Sequence, residues 1–336
     1  MDGTFYPRGP RGAFPMMGPV VNPLCGRFPP THARAASPYD RRMSASDGPA
    51  RRPTPRAAAR IPAAGYALAR STHPGPGVAV AAIAVILAVG VGVEPWRVLL
   101  LGLAVLANEA SVGLCNDWID AERDRAVGRT DKPVALGQIS AGTVRTAAFV
   151  TAFLAIALTI ALGWPATIAH AVFIVSAWSY NLGLKSTPLS VVPYIVSFGL
   201  LPLVVTLALP VPALCSPWAL LAGALLGVAA HFANVLPDLD DDKATGVRGL
   251  AHRVGGRTAG LVIAVALAGA AASIVLGLGS APGYAYVGLG LSLILATVCA
   301  VRVVRGHSTR LIFRLIIAGA LVDVVLLALS GARMLA

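Results

Sequence analysis

Nine residues that directly follow an apolar segment carry the most informative pattern in this sequence: Asn116-Asp117-Trp118-Ile119-Asp120-Ala121-Glu122-Arg123-Asp124. Asn116, Asp120 and Asp124 are spaced by four and four residues, and Asp117 precedes Asp120 by three. Residues three and four apart share one face of an α-helix, so a helix that continues past the apolar segment stacks these side chains. Carboxylates stacked at the electronegative end of a helix repel one another. The stretch therefore predicts a bound cation.

The composition places this stretch in a membrane protein. Of 336 residues, 56% are hydrophobic and 12% are charged, and the mean hydropathy is +0.74, whereas soluble domains carry about 25% charged residues. The four cysteines are far apart and form no CxxC pair, which indicates neither a disulfide scaffold nor a zinc site. The composition excludes a water-soluble enzyme and indicates a polytopic membrane protein.

The first part of the chain differs from the rest. Residues 1–72 hold eleven arginines and twelve prolines and show no apolar period. Such a segment buries too little apolar surface to fold. We therefore expect a disordered, basic cytoplasmic tail at 1–68, followed by a transmembrane domain at 69–336. A basic tail could bind nucleic acid or an anionic leaflet; we favour a solvated extension and expect no nucleic-acid partner.

The remaining sequence contains nine apolar segments of 17–21 residues: 77–93, 96–115, 144–162, 165–181, 189–209, 218–236, 259–279, 284–304 and 311–330. About 20 helical residues cross the hydrocarbon core of a bilayer, and backbone groups in lipid must pair within helices or closed barrels. The predicted fold class is all-α: a polytopic membrane bundle of nine transmembrane helices.

The distribution of basic residues predicts the orientation of the bundle. Fourteen Lys and Arg residues lie in or beside the linkers after segments two, four, six and eight, whereas the opposite linkers and the C-terminus hold only Arg97 and Arg333. By the positive-inside rule, the first set of linkers and the N-terminus are cytoplasmic and the C-terminus is outside. We expect a multi-pass protein of the cell membrane.

A second acidic stretch, Asp238-Leu239-Asp240-Asp241-Asp242, follows the sixth segment. Asn234, Asp238 and Asp242 repeat the spacing of four and four residues. Oxygen donors without His or Cys suit Mg²⁺, which often shares its coordination shell with substrate phosphates. An alternative is that the acidic residues only balance basic neighbours at the membrane surface. That alternative explains two copies of one spacing poorly.

Four cations follow the ends of apolar segments: Arg129, Lys132, Lys185 and Arg248. Together with two Mg²⁺ they would clamp a diphosphate and stabilise the charge that develops on departing pyrophosphate. For any single one of these residues, the ordinary excess of cytoplasmic basic residues is an equally good explanation.

Residues 68–336 resemble the UbiA-type intramembrane prenyltransferases. The first stretch matches the NDxxDxxxD signature of that family, and residues 238–242 with Arg248 resemble its second signature. Residues 129–140 resemble the segment after the first signature, with Lys132 where the family usually has Arg. Tyr180 to Lys185 resembles YxxxLK, and Arg70 to Pro74 resembles the RxxxP start of the first helix, with His73 as a departure.

The resemblance implies a nine-helix bundle around a central cavity, with Mg²⁺ as cofactor. The implied reaction ionises an isoprenyl diphosphate and transfers the prenyl group to an acceptor that is often aromatic or quinone-like. One metal would be held by Asn116, Asp117, Asp120 and Asp124, and the second by Asp238, Asp242 and Asp241. Arg129, Lys132, Lys185 and Arg248 would bind the diphosphate.

Glu109 lies two helical turns, or about 12 Å, deeper than Asp117. An acidic group inside a span usually faces a cavity or a partner, so we assign Glu109 a catalytic role: to stabilise the cation, to accept a proton or to bind the acceptor. The further residues predicted to line the cavity are Arg70, Asn108, Tyr180, His231 and Asn234. For His231 a packed core histidine is an equally good interpretation.

Two alternatives to a prenyltransferase remain. A membrane terpene cyclase of the same superfamily would use every aspartate named here and differ only in needing no acceptor. A cation transporter would attract metal with its acidic loops, but ionisable groups in transporters lie near the bilayer midplane. Most of those found here lie at one surface.

Overall fold

The computed structural model describes residues 60–236, 248–306 and 309–336. The helices in these ranges are α1 (Arg60–Ser71), α2 (Pro74–Val91), α3 (Pro95–Ile119), α4 (Ala121–Ala126), α5 (Ala141–Ile160), α6 (Trp164–Asn181), α7 (Val192–Leu207), α8 (Pro217–Val235), α9 (Leu250–Gly277), α10 (Gly283–Val304) and α11 (Thr309–Leu329). Short 3₁₀ turns lie at Leu184–Ser186 and Gly331–Met334. The predicted all-α fold class is confirmed for the described part of the chain.

Nine of the helices in the described ranges are 16 to 28 residues long, and each corresponds to one predicted apolar segment. Six of them are long and apolar enough to cross a membrane on length and composition alone, and α7 is a shorter apolar helix. Proline in the first turn of α2, α3, α6, α7 and α8 fits the helix start, where its missing N–H has no intrahelical partner.

The nine long helices pack in chain order. Each contacts the next along the chain, and α11 closes against α2. The largest cluster of buried residues connects the first long helices with the last one. In this cluster, side chains of α2, α3, α7 and α8 pack against Leu326 and Leu327 of α11. This arrangement brings residues far apart in the chain to one end of the bundle.

Helix α1 covers residues 60–68, which the sequence assigned to the tail. The helix is held because Ala67 is buried in a cluster with Leu114 and Cys115 of α3. The predicted disorder of the preceding residues falls outside the described part of the chain and stays a prediction.

Helix α3 runs past the apolar segment to Ile119, and α4 follows after Asp120. The hydrogen bonds from Asp120 N to Asn116 O, 2.9 Å, and from Asp124 N to Asp120 O, 2.8 Å, continue the helical pattern across the junction. Asn116, Asp120 and Asp124 therefore lie on one face, as their spacing predicted.

Candidate active site

A cavity of about 560 Å³ opens where α3, α6 and α8 end and α2 and α7 begin. Its polar rim includes His73, Asn116, Asp120, Arg123, Asp124, Arg129, Asp131, Lys132, Asn181, Lys185 and Asn234. Its deeper wall includes Gly77, Val80, Glu109, Tyr180, Tyr194 and Phe198. The fold thus collects most of the predicted site residues of the described ranges around one space.

Asp120 is held by cations from two directions. Lys185 Nζ lies 2.5 Å from Oδ1 and 2.6 Å from Oδ2, and Arg123 Nη2 donates to Oδ2 at 2.9 Å. Asn116 Nδ2 also donates to Oδ2, at 3.0 Å. Burial lowers the pKa of the Lys185 ammonium, although the carboxylate of Asp120 opposes this shift. The pair places a cation and an anion side by side at the cavity rim.

Asp117 does not line this cavity itself but lies behind two rim residues, Lys132 and His73. Its side chain is 0% exposed, and its Oδ1 lies 2.6 Å from Lys132 Nζ and 2.7 Å from His73 Nε2. Lys132 also donates to Asn116 Oδ1 at 3.1 Å. His73 has a φ of 52°, a backbone conformation uncommon outside glycine, and this turn between α1 and α2 carries the imidazole to Asp117. In the structure Asp117 is the buried counter-ion of Lys132.

Asp124 lines the cavity, and burial raises the pKa of its carboxyl group. Beyond it, Arg129 donates two hydrogen bonds of 2.8 Å to Asp131, which lower the pKa of Asp131 to about 2. Arg70 Nη2 donates to the Asp131 carbonyl at 2.9 Å. Arg70 therefore holds the backbone of this loop and is not among the cavity-lining residues.

The deeper wall contains Glu109 and two tyrosines. The rings of Tyr180 and Tyr194 meet edge to face at 5.2 Å. His231 is 1% exposed and packs behind this wall, 6.1 Å from the Tyr180 ring and 5.1 Å from the Tyr194 ring, without lining the cavity. Asn108 is fully buried and also does not line the cavity.

The second predicted signature lies only partly within the described residues. Asn234, on the last turn of α8, lines the cavity. Asp238, Asp241 and Asp242 lie outside the described ranges. Arg248 is exposed, its carbonyl accepts a hydrogen bond from Arg253 Nε at 3.0 Å, and it does not line the cavity.

A second cavity, of about 210 Å³, adjoins the first, and Phe198, Ala230 and Ala233 line both. The second cavity is lined by apolar side chains and Gly223 of α2, α7, α8 and α11, among them Ile83, Leu87, Leu201, Leu226, Ile316 and Leu327. Together the two cavities offer a charged end and an apolar end to one molecule.

The oxygen donors at the rim fit Mg²⁺ or a similar hard cation. Asn116, Asp120 and Asp124 line one cavity, and their amide and carboxylate oxygens are the donor type that Mg²⁺ prefers. Within the described ranges no group of three or more His, Cys, Asp or Glu side chains is arranged to hold a metal.

The cavity-lining residues to which the sequence analysis gave no role include Asn181, Tyr194 and His252. Asn181 accepts a hydrogen bond from Asn116 Nδ2 at 3.2 Å and donates one to Val112 O at 3.0 Å. Its signal was an amide at the end of an apolar segment. Tyr194 and His252 belong to no motif and had no such signal.

In the described part of the chain, a bundle of largely apolar helices has a charged cavity at one end with an apolar cavity beside it. These features define a membrane protein that can hold an amphiphilic anion. The model of the UbiA prenyltransferase family matches residues 77–322, and the chain belongs to this family. A comparison with curated protein sequences returned no match.

Solved structures share the fold. A UbiA homolog from Archaeoglobus fulgidus bound to GPP and Mg²⁺ is 16% identical, with a TM-score of 0.59 over 79% of this chain and 99% of that one. The apo UbiA homolog from Aeropyrum pernix K1 is 17% identical, with a TM-score of 0.60 over 77% and 96%. A structure of a digeranylgeranylglyceryl phosphate synthase is 14% identical, with a TM-score of 0.61 over 80% and 99%.

Proposed function

We propose that this protein is an Mg²⁺-dependent intramembrane prenyltransferase, which ionises an isoprenyl diphosphate and transfers the prenyl group to an aromatic or quinone-like acceptor. The observation that carries the proposal is the junction of the two cavities. The charged cavity and the apolar cavity meet at Phe198, Ala230 and Ala233, which line both, and a molecule with a diphosphate head and an apolar tail would match this pairing. Family membership and the ligands of the Archaeoglobus fulgidus homologs, GPP and DMAPP with Mg²⁺, support the same reaction.

The diphosphate would lie at the rim, where Lys185, Lys132 and Arg129 line the cavity. Lys185 and Lys132 are already neutralised by Asp120 and Asp117. A diphosphate bound there would compete with Asp120 and Asp117 for ion pairs with the two lysines. Neither Arg70 nor Arg248 reaches the cavity, so the proposal gives them no contact with the donor.

Asn116, Asp120 and Asp124 would hold one Mg²⁺, and Asp238, Asp241 and Asp242 would hold a second. Bound Mg²⁺ would stabilise the negative charge that develops on the leaving diphosphate as a Lewis acid. The cationic side chains at the rim add hydrogen bonds to the same oxygens.

The prenyl tail would extend into the apolar cavity through the junction at Phe198, Ala230 and Ala233. Its walls shield the allylic cation from water. Breaking the C–O bond releases diphosphate, and a new bond then forms between the cationic carbon and the acceptor.

Glu109 is the only acidic residue among those that line the deeper wall within the described ranges. It would accept the proton that the acceptor loses after alkylation. Tyr180 and Tyr194 face the same space and supply aromatic surface for the acceptor and the cation.

The chain is a multi-pass membrane protein by family and by its apolar helices. The excess of basic residues in alternate linkers supports a cytoplasmic active site and N-terminus and an external C-terminus, in the cell membrane. An active site at the boundary between membrane and cytosol would let the diphosphate enter from water and the prenyl tail enter from lipid.

The test is product analysis with purified protein, Mg²⁺ and a ladder of prenyl diphosphates, with and without candidate aromatic acceptors. We expect Mg²⁺-dependent pyrophosphate release and a prenylated acceptor in the mass spectrum. Asp120→Asn should lower turnover at least about 100-fold, the effect of losing one major electrostatic contact. The matched control is Glu122→Gln, which removes an exposed carboxylate of α4 that does not line the cavity.

Three results would contradict the proposal in different ways. A hydrocarbon product formed without acceptor would identify a cyclase. Metal flux in proteoliposomes without pyrophosphate release would identify a transporter. Equal activity of Asp120→Asn and Glu122→Gln would remove Asp120 from the site.

A further inference from the structure

The loop that carries Lys185 connects α6 to α7. A 3₁₀ turn at Leu184–Ser186 is followed by hydrogen bonds from Thr187 N to Leu184 O, 3.0 Å, and from Ser190 N to Thr187 O, 3.2 Å. Ser190 is 1% exposed. The loop therefore ends on a buried hydroxyl group, five residues after the lysine that contacts Asp120.

The Ser190 hydroxyl completes the start of another helix. Helix α9 begins at Leu250 after Gly249, which has no side chain to cap it. The first N–H groups of a helix have no intrahelical acceptor, and Leu250 N donates to Ser190 Oγ at 2.9 Å. Ser190 thus caps α9 from a distance of 60 residues in the chain.

The same hydroxyl group contacts His231 on α8, with 3.2 Å between Ser190 Oγ and His231 Nε2. The His231 ring lies behind the cavity-lining rings of Tyr180 and Tyr194. One buried contact therefore joins the Lys185 loop, the aromatic wall and the first turn of α9.

Gly249 presses the start of α9 onto the backbone of Lys185. A Cβ atom at residue 249 would lie 2.4 Å from Lys185 O and 3.0 Å from Ser190 Oγ. The φ of Gly249 is −65°, which any residue adopts, so glycine is needed here for space alone. Any side chain at this position must displace the Lys185 backbone or α9.

We infer that Ser190, His231 and Gly249 are positioning residues that hold Lys185 against Asp120 at the cavity rim. They do not line the cavity themselves. Ser190 contacts His231 and Leu250, and Gly249 lies against the Lys185 carbonyl, so these contacts fix the loop. The expected effect on the donor rests on the proposed function, whereas the effect on Lys185 itself does not.

The direct readout is chemical labelling of lysine, because the chain has only three lysines: Lys132, Lys185 and Lys243. The Lys185 side chain is 10% exposed while it pairs with Asp120. In the full-length protein, an amine-reactive reagent followed by mass spectrometry should label Lys185 at least fivefold faster in Gly249→Ala and in Ser190→Ala. The labelling of Lys132 should not change.

The matched controls are Gly283→Ala and Ser197→Ala. A Cβ at Gly283 meets nothing within 4 Å, and Ser197 is a buried serine of α7 that is not a cavity-lining residue. In both controls, the rate of Lys185 labelling relative to Lys132 should equal that of the unchanged protein. Using two independent variants at residues 190 and 249 keeps the test decisive if one of them does not fold.

The enzymatic readout is the KM for the prenyl diphosphate. We expect Ser190→Ala and Gly249→Ala to raise it at least fivefold, with kcat within twofold, because Lys185 contributes to donor binding. Unchanged labelling of Lys185 in a folded variant would overturn the inference. Faster labelling in a protein that shows no transferase activity would instead leave the positioning role intact and remove the proposed function.

Discussion

Replacing Lys132 by Met should destabilise the protein strongly. The Lys132 ammonium lies 2.6 Å from Asp117 Oδ1, and the two side chains are 10% and 0% exposed. Removing one partner of a buried pair leaves an uncompensated buried charge, which costs about 3–5 kcal/mol. His73 contacts the same Asp117 oxygen at 2.7 Å and offsets part of this cost, so we expect the lower half of that range.

The assay is thermal unfolding in detergent, with a double-mutant cycle. A loss of that size lowers the Tm by roughly 10 °C. The double variant Lys132→Met with Asp117→Asn removes both charges and should recover most of the loss, since neutral replacement of a buried pair costs little. The comparison variant is Arg129→Met, because its partner Asp131 is 56% exposed and an exposed pair is worth at most about 1 kcal/mol.

Two results would refute this reasoning. If Lys132→Met loses no more stability than Arg129→Met, the Lys132–Asp117 pair is not a buried pair in the protein. If the double variant is as unstable as the sum of the single ones, the two charges are not coupled.

Three further predictions follow from the same geometry. Glu109→Gln should lower kcat while the affinity for prenyl diphosphate stays nearly unchanged, and unchanged turnover in a membrane assay would exclude a chemical role for Glu109. Burial lowers the pKa of Lys185 below the usual lysine value of 10.5, so the loss of activity at alkaline pH should begin below pH 10.5. Lys185→Arg keeps its positive charge at that pH and should move the loss to higher pH in a pH–rate profile. Gly113→Ala should cost about 1–3 kcal/mol in thermal unfolding, since its Cβ would lie 2.4 Å from Thr72 O, whereas Gly75→Ala meets nothing within 4 Å and should be neutral.

The helices were predictable because the length and composition of each apolar segment indicate a membrane-spanning helix without reference to the rest of the chain. The nine segments have the length that lipid demands, and proline marks the start of several of them. Asn116, Asp120 and Asp124 share a face because the helical repeat is local, and the structure confirms that face.

The roles of Asp117 and His231 were less predictable. Asp117 was grouped with the metal ligands from its spacing, but three residues correspond to 300° of helical rotation relative to Asp120, and four to 400°. In the structure Asp117 pairs with Lys132 and His73, whereas Asp120 and Asp124 line the cavity directly. For His231 the sequence left two interpretations open, and the structure places the ring behind the tyrosine wall.

The sequence by itself determined the helical class and the membrane environment, and it predicted which residues bind a diphosphate with its metal. Only the tertiary structure decided which carboxylate pairs with which cation. Lys185 reaches Asp120 across 65 residues, and Ser190 caps Leu250 across 60. The physical reason is that helix periodicity sets the angles between side chains of one helix, whereas the rotation of that helix against its neighbours depends on packing over the whole bundle.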